Sequence, residues 1–289
     1  MTKENMPNNN RIKRALAANP DLLTRTFSAL ILIPIALLLL WLGGHYFLAL
    51  ALATCMLMFW EWVKIVGSRR RGASGLAGFL LLAGIGGLLL SGLYIYALLA
   101  VVIGVISVYA AGGFSKSARW VGEGFLYASL SLIAIYSLRL GENGFWAVFF
   151  LLVVVWVTDV GAYICGRSIG GAKLWPAVSP GKTWSGAIGG LLLAVLAGVL
   201  MARFAGSQNY AYVIGITFIL SVSSQLGDLF ESALKRRFGV KDSSALIPGH
   251  GGVLDRMDGL VFACVVAYII ALMIGGALEM PATALLSLS

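Results

Sequence analysis

The sequence predicts an all-α, polytopic membrane protein of about nine transmembrane helices, with the N-terminus cytoplasmic and the C-terminus extracytoplasmic. Three observations carry that prediction. Of 289 residues, 60% are hydrophobic and only 11% charged, too few charges to cover a soluble protein of this length. The apolar residues form long runs, and 27–43, 75–113 and 184–202 contain no charged residue. Lysine and arginine are also distributed unevenly among the segments between those runs.

A run of about 20 apolar residues crosses a hydrocarbon core of about 30 Å as a helix. On that measure the spans lie near 27–43, 46–66, 75–92, 94–111, 122–138, 144–164, 184–204, 211–234 and 258–278. The first follows a polar tail, 1–26, and is longer than a signal-peptide core of roughly 7–15 residues, so it reads as a retained span. Little more than Ser91 and Gly92 separates the third from the fourth, which predicts a tight helical hairpin. The chain divides into the cytoplasmic tail (1–26), N-terminal transmembrane helices (27–138) and a C-terminal transmembrane catalytic region (139–289).

Orientation follows from the basic residues. With the N-terminus inside, every one of the 21 lysines and arginines except Arg139 and Arg203 falls on the cytoplasmic side. A reporter fused after Ser289 is therefore expected to be extracytoplasmic, and a cytoplasmic signal there would overturn the topology. The net charge of +9 is the positive-inside bias of such a chain. The basic residues are scattered among short loops, which excludes nucleic acid as a partner and leaves anionic lipid or nucleotide phosphates. Arg69, Arg70 and Arg71 read as a topology signal and lipid contact, and Trp60 and Trp62 as interface anchors. Cys55, Cys165 and Cys264 lie far apart in or beside apolar runs, with no CxxC pair, and read as small buried residues.

The chemistry concentrates between 225 and 258, which holds five of the twelve acidic residues. Asp228 lies inside the eighth apolar run, where a carboxylate requires a partner. Glu231 and Ser232 follow at i+3 and i+4 and share its helical face. A structural reading would pair Asp228 with Arg256. Asp255 and Asp258, spaced i, i+3, open the last span, where acids also answer the helix dipole. Carboxylates from two neighbouring spans at the membrane edge suit a hard cation such as Mg2+, which favours oxygen ligands and retains coordination for phosphate and water. That chemistry serves phosphoryl or nucleotidyl transfer. Pro248-Gly-His250-Gly251-Gly252 offers close-approach amides and a helix N-terminus to an anion. His250 suits phosphate contact or proton transfer, although a lone loop histidine more often does neither.

A second cluster comprises Asp159, Tyr163, Arg167 and the stretch Ser179-Pro-Gly-Lys182-Thr183. Its GKT is no P-loop, because Pro176 stands where GxxxxGKT requires glycine and no strand precedes it. It reads instead as a flexible basic loop presenting Ser179, Lys182 and Thr183 to phosphates. Asp159 either completes a metal shell or pairs with Arg167.

The segment from Ser232 to Asp258, SALKRRFGVKDSSALIPGHGGVLDRMD, resembles the signature of the phosphatidate cytidylyltransferases, or CDP-diacylglycerol synthases. The shared elements are Ser232, Lys235-Arg236, Lys241-Asp242, Pro248, His250-Gly-Gly and Asp255-Arg256 with Asp258. DVGAY (Asp159–Tyr163), SPGKTW (Ser179–Trp184) and, more weakly, Glu61-Trp62 are similar too. Ser185 departs from the pattern, since the family often has Glu there. The resemblance implies conversion of CTP and phosphatidic acid to CDP-diacylglycerol and pyrophosphate at the cytoplasmic face of a bacterial inner membrane. It implies metal dependence with ligands at Asp228 and Asp255, a K+ ion as second cation, and a homodimer. On this reading Asp159 and Asp258 are further metal candidates. Asp228, Asp255, Ser232, Lys235 and Arg256 are catalytic, and Ser179, Lys182, Thr183, Arg236, Lys241, His250, Gly251 and Gly252 bind substrate. Two other readings share parts of this pattern. A CTP-dependent polyprenol or phytol kinase would release CDP. A transporter using Asp159 and Asp228 would show flux without CTP.

Overall fold

A computed structural model describes residues 20–67, 72–206 and 209–287. The first 19 residues and the Arg69 to Arg71 run lie outside the described residues. The elements are α1 (Pro20–Leu42), α2 (Gly44–Ile65), α3 (Ala73–Leu90), α4 (Tyr94–Ala111), α5 (Lys116–Arg139), α6 (Gly144–Ile169), β1 (Lys173–Trp175), β2 (Ser179–Thr183), α7 (Trp184–Phe204), α8 (Tyr210–Arg237), α9 (Leu254–Met273) and α10 (Pro281–Ser287). Among the described residues, eight helices, α2 to α9, are long and apolar enough to cross a membrane, and α1 adds a shorter apolar stretch, Thr26–Leu42. The protein is thus all-α and polytopic. The last span begins and ends earlier than hydropathy suggests, at Leu254 and Met273, and a short helix, α10, follows it.

The outer faces of the bundle are apolar. Leu99, Ile103, Ile106, Val160 and Leu192 are each more than half exposed, a pattern suited to lipid rather than water. Inside, Phe59, Trp62, Phe125, Leu82 and Leu132 are buried. Lipid is as apolar as leucine, so helices associate through close packing, and small residues mark the contacts. At the α6–α7 crossing a Cβ on Gly190 would lie 2.5 Å from the Thr158 carbonyl oxygen. Helix α5 packs on α2, α3 and α4 and also on α9, so it joins the two halves of the chain.

Short connections make successive helices run in opposite directions. The C-terminal ends of α2, α6 and α8 therefore meet the N-terminal ends of α7 and α9 at one end of the bundle. The opposite end is closed differently. There Arg139 donates from Nε to the Leu40 carbonyl at 2.6 Å and from Nη2 to that of Trp41 at 3.0 Å. One of the two arginines that break the charge asymmetry thus satisfies the carbonyls that end α1.

The structure corrects two expectations. The 165–183 segment is no flexible loop, because β1 and β2 form an antiparallel hairpin with Lys173 opposite Thr183 and Trp175 opposite Ser179. Trp62 is no interface anchor. Its side chain is 2% exposed and its Nε1 donates to the Trp120 carbonyl at 2.8 Å, while a Cβ on Gly124 would strike its ring.

Candidate active site

The site is assembled at the end of the bundle where α2, α6, α7, α8 and α9 meet. Helices α8 and α9 touch there through glycine. A Cβ on Gly227 would lie 2.4 Å from the Asp258 carbonyl oxygen, and one on Gly259 would lie 2.5 Å from the Ser224 hydroxyl. This contact brings the acidic faces of the two helices side by side.

Asp228 forms an ion pair with Lys182 of β2, and Ser232, one turn on, donates to Asp228 Oδ1 at 3.4 Å. Asp228, rather than pairing with Arg256, therefore ties the hairpin to α8. Asp159 and Asp258 lie within electrostatic range of Asp228 and Lys182. Asp159, Asp228 and Asp258 thus feel one another's charge from α6, α8 and α9.

Lys235 is the hinge of a second group. Its Nζ lies 2.7 Å from Glu231 Oε2 and 2.7 Å from Asp255 Oδ1. Glu231 is buried and Lys235 and Asp255 are largely so, with side chains 2%, 13% and 8% exposed, so the lysine neutralises two carboxylates with little water near it. Removing one member of such a buried pair costs about 3–5 kcal/mol. The other side of Asp255 is held by the loop before α9. Ser243 N–H donates at 3.0 Å, Ser243 Oγ–H at 2.9 Å and Gly252 N–H at 2.9 Å, all to Oδ2.

The loop 240–253 is consequently built on carboxylates. The amides expected to face an anion face acidic side chains of the chain itself: Gly252 donates to Asp255, and Val253 and Leu254 donate to Glu61. Gly251 sits at φ +85, where only glycine is at ease. A Cβ on Gly252 would fall 1.9 Å from Ser243 Oγ. His250 lies with Nδ1 2.8 Å from Ser28 Oγ, and its carbonyl accepts from Arg256 Nε at 2.9 Å and Nη2 at 2.6 Å. Thr183, proposed for phosphate, accepts from Gly186 N–H at 3.1 Å and so caps α7. Arg236 reaches the Val178 carbonyl at 3.4 Å, and Arg167 donates to the Tyr163 hydroxyl at 2.9 Å rather than to Asp159. Ser179 is half-buried in β2, while Lys241 is exposed on the loop. Ser185 accepts or donates with Thr183 at 3.0 Å and donates to the Gly170 carbonyl, so the serine at this position ties the start of α7 to the C-terminal end of α6.

In the sequence Glu61 carries only a weak part of the resemblance and no role. It is 0% exposed, and the loop, Ser243, Ser244 and the start of α9 all converge on it. The available signal was a carboxylate at the end of an apolar run, which requires a partner.

The donor set is one of hard oxygens, with Asp228 and Asp255 each against a lysine ammonium. Among the described residues no three acidic, histidine or cysteine side chains converge as a ready-made cage. Asp228 fits Mg2+, which is usually held by one or two carboxylates and completed by substrate phosphates and water, whereas Asp255 has first to release Lys235.

Fold and site together define a polytopic helical membrane protein with a lysine–carboxylate centre at one end of its bundle. The chain belongs to the cytidylyltransferase family, whose model matches residues 23–274. Phosphatidate cytidylyltransferase of Brucella suis biovar 1 (strain 1330) is 40% identical over 250 residues, 86% of this chain and 93% of that one. The protein of that name from Brucella abortus (strain 2308) is 40% identical over the same span. That from Staphylococcus haemolyticus (strain JCSC1435) is 45% identical over 147 residues, 50% of this chain and 53% of its own.

Proposed function

We propose that the protein transfers the cytidylyl group of CTP to phosphatidic acid, giving CDP-diacylglycerol and pyrophosphate in phospholipid biosynthesis. The observation that supports this most is the pair of carboxylates, Asp228 and Asp255, each set against a lysine at one end of a membrane bundle. On this reading that end faces the cytoplasm, in keeping with the positive-inside distribution, and the membrane is a bacterial inner membrane. Phosphatidate would then lie at headgroup level and CTP would arrive from the cytoplasm.

A phosphate oxygen of phosphatidate attacks the α-phosphorus of CTP in line. The new P–O bond forms as the bond to the β-phosphate oxygen breaks, and pyrophosphate leaves with the electron pair. The nucleophile is already an anion, so a strong general base is not required. Asp228 and Asp255 would hold Mg2+, with Asp159 and Asp258 as the remaining donors, and bound Mg2+ neutralises charge on the phosphate oxygens. Lys182 and Lys235, released from their carboxylates, would bind phosphates together with Arg236 and Arg256. Ser232 orients Asp228. Ser179, Lys241 and His250 line the approach on the hairpin and the loop. K+ as a second cation and a homodimer are proposed on the resemblance alone.

Product analysis tests the reaction. Purified protein with α-labelled CTP and phosphatidic acid should yield labelled liponucleotide and pyrophosphate, and none after Mg2+ is chelated. Release of CDP would indicate a kinase, and absence of any CTP-dependent product would end the reading.

A further inference from the structure

We infer that Glu61, on the second helix and far in sequence from the acidic motif, is a positioning residue for the transfer reaction. This inference rests on the cytidylyl-transfer reading. Glu61 is buried at the C-terminal end of α2 and accepts from four groups of the 240–254 segment. Val253 N–H donates to Oε1 at 3.0 Å and Leu254 N–H to Oε2 at 2.6 Å. These are amides that open α9 and have no intrahelical acceptor, so Glu61 caps that helix from another part of the chain. The hydroxyls of Ser243 and Ser244 complete the set, Ser243 at 3.1 Å.

Ser243 links Glu61 to the chemistry. Its Oγ stands 3.1 Å from Glu61 Oε2 and 2.9 Å from Asp255 Oδ2, so its single proton is shared between two carboxylates. Its N–H also donates to Asp255. Asp255 in turn holds Lys235, and Lys235 holds Glu231. A continuous chain, Glu61–Ser243–Asp255–Lys235–Glu231, therefore runs from the N-terminal helices to the centre. Glu61 touches neither Lys235 nor Asp228 in this network. It fixes the loop that orients Asp255, and the space left for that loop is exact enough to exclude a methyl group at Gly252, whose Cβ would meet both Ser243 and Glu61. A group that orients a ligand or phosphate-binding side chain at second hand changes activity by about 10–100-fold when lost.

Two full-length variants test this in detergent-purified protein with labelled CTP and phosphatidic acid. Glu61→Gln keeps the shape but presents an amide NH2 to the amide and hydroxyl donors. It should lower kcat by about tenfold or more with KM for CTP changed less than about threefold, because orientation and not ground-state binding is lost. Ser243→Ala removes the hydroxyl between the carboxylates and should show the same split. The double variant should be no worse than the more impaired single one, since both act through one connection. Glu61→Asp should recover part of the lost kcat. Wild-type kcat in Glu61→Gln, or independent multiplicative losses in the double variant, would overturn the inference. If Glu61→Gln does not purify folded, Ser243→Ala alone decides, and unchanged kcat there overturns it. Failure of the wild-type chain to make liponucleotide would instead defeat the cytidylyl-transfer reading.

Discussion

Asp228→Asn is expected to lower turnover by about 10³-fold or more while the chain still folds in the membrane. Asparagine matches aspartate in shape but carries no charge, so it weakens both the hold on a dication and the pairing with Lys182. Stability should change little. The side chains of Lys182 and Asp228 are 27% and 32% exposed, and an asparagine carbonyl oxygen still accepts from the lysine, so no charge is left without a partner atom. This separates Asp228 from Lys235, whose buried neighbours would be left uncompensated by its removal, so that a Lys235 variant would confound folding with chemistry. Steady-state turnover together with the elution profile of the detergent-solubilised protein checks the point. Near-normal turnover would remove Asp228 from the centre.

Gly227→Val is expected to do the opposite and damage the structure first. The nearest atom to a Cβ there is backbone, the Asp258 carbonyl oxygen at 2.4 Å, with Phe262 Cβ at 3.0 Å. No rotamer change relieves a clash with backbone, so α8 and α9 must move apart. Overpacking costs typically about 1–3 kcal/mol, and a branched residue at a helix crossing belongs at or above the upper end. The separation also parts Asp228 from Asp258. Both thermal stability and turnover should fall, whereas Gly215→Ala, a substitution on the same helix that meets nothing within 4 Å, should leave both near wild type. Unchanged melting in Gly227→Val would show that the crossing is looser than described.

The spans were legible because hydropathy acts locally. Long uncharged runs can do little else in a bilayer, and the short linkers between them, such as that around Gly92, fixed which helices are neighbours. The concentration of acids on α8 and α9 was legible for the same reason, since Asp228 and Glu231 are conspicuous inside an apolar run. What sequence concealed depends on distant contacts. Nothing in the spacing joins Glu61 to Ser243 or Leu254, and a Glu between two tryptophans resembles the edge of a span. The β hairpin was hidden because a three-residue strand between glycines and prolines carries no periodicity. The amides of Gly252, Val253 and Leu254 face carboxylates for a chemical reason. Amides at a helix start attract any anion, and here carboxylates of the chain itself already occupy them.

The proposed mechanism requires acids of the last two spans to converge on one divalent cation. Mn2+ binding, followed by electron paramagnetic resonance in the purified full-length protein with CTP present, tests it most directly. The account predicts one saturable class of bound Mn2+ in the wild type, displaced by Mg2+, and a loss of affinity of about tenfold or more in both Asp228→Asn and Asp255→Asn. Unaltered Mn2+ affinity in the two variants would contradict it.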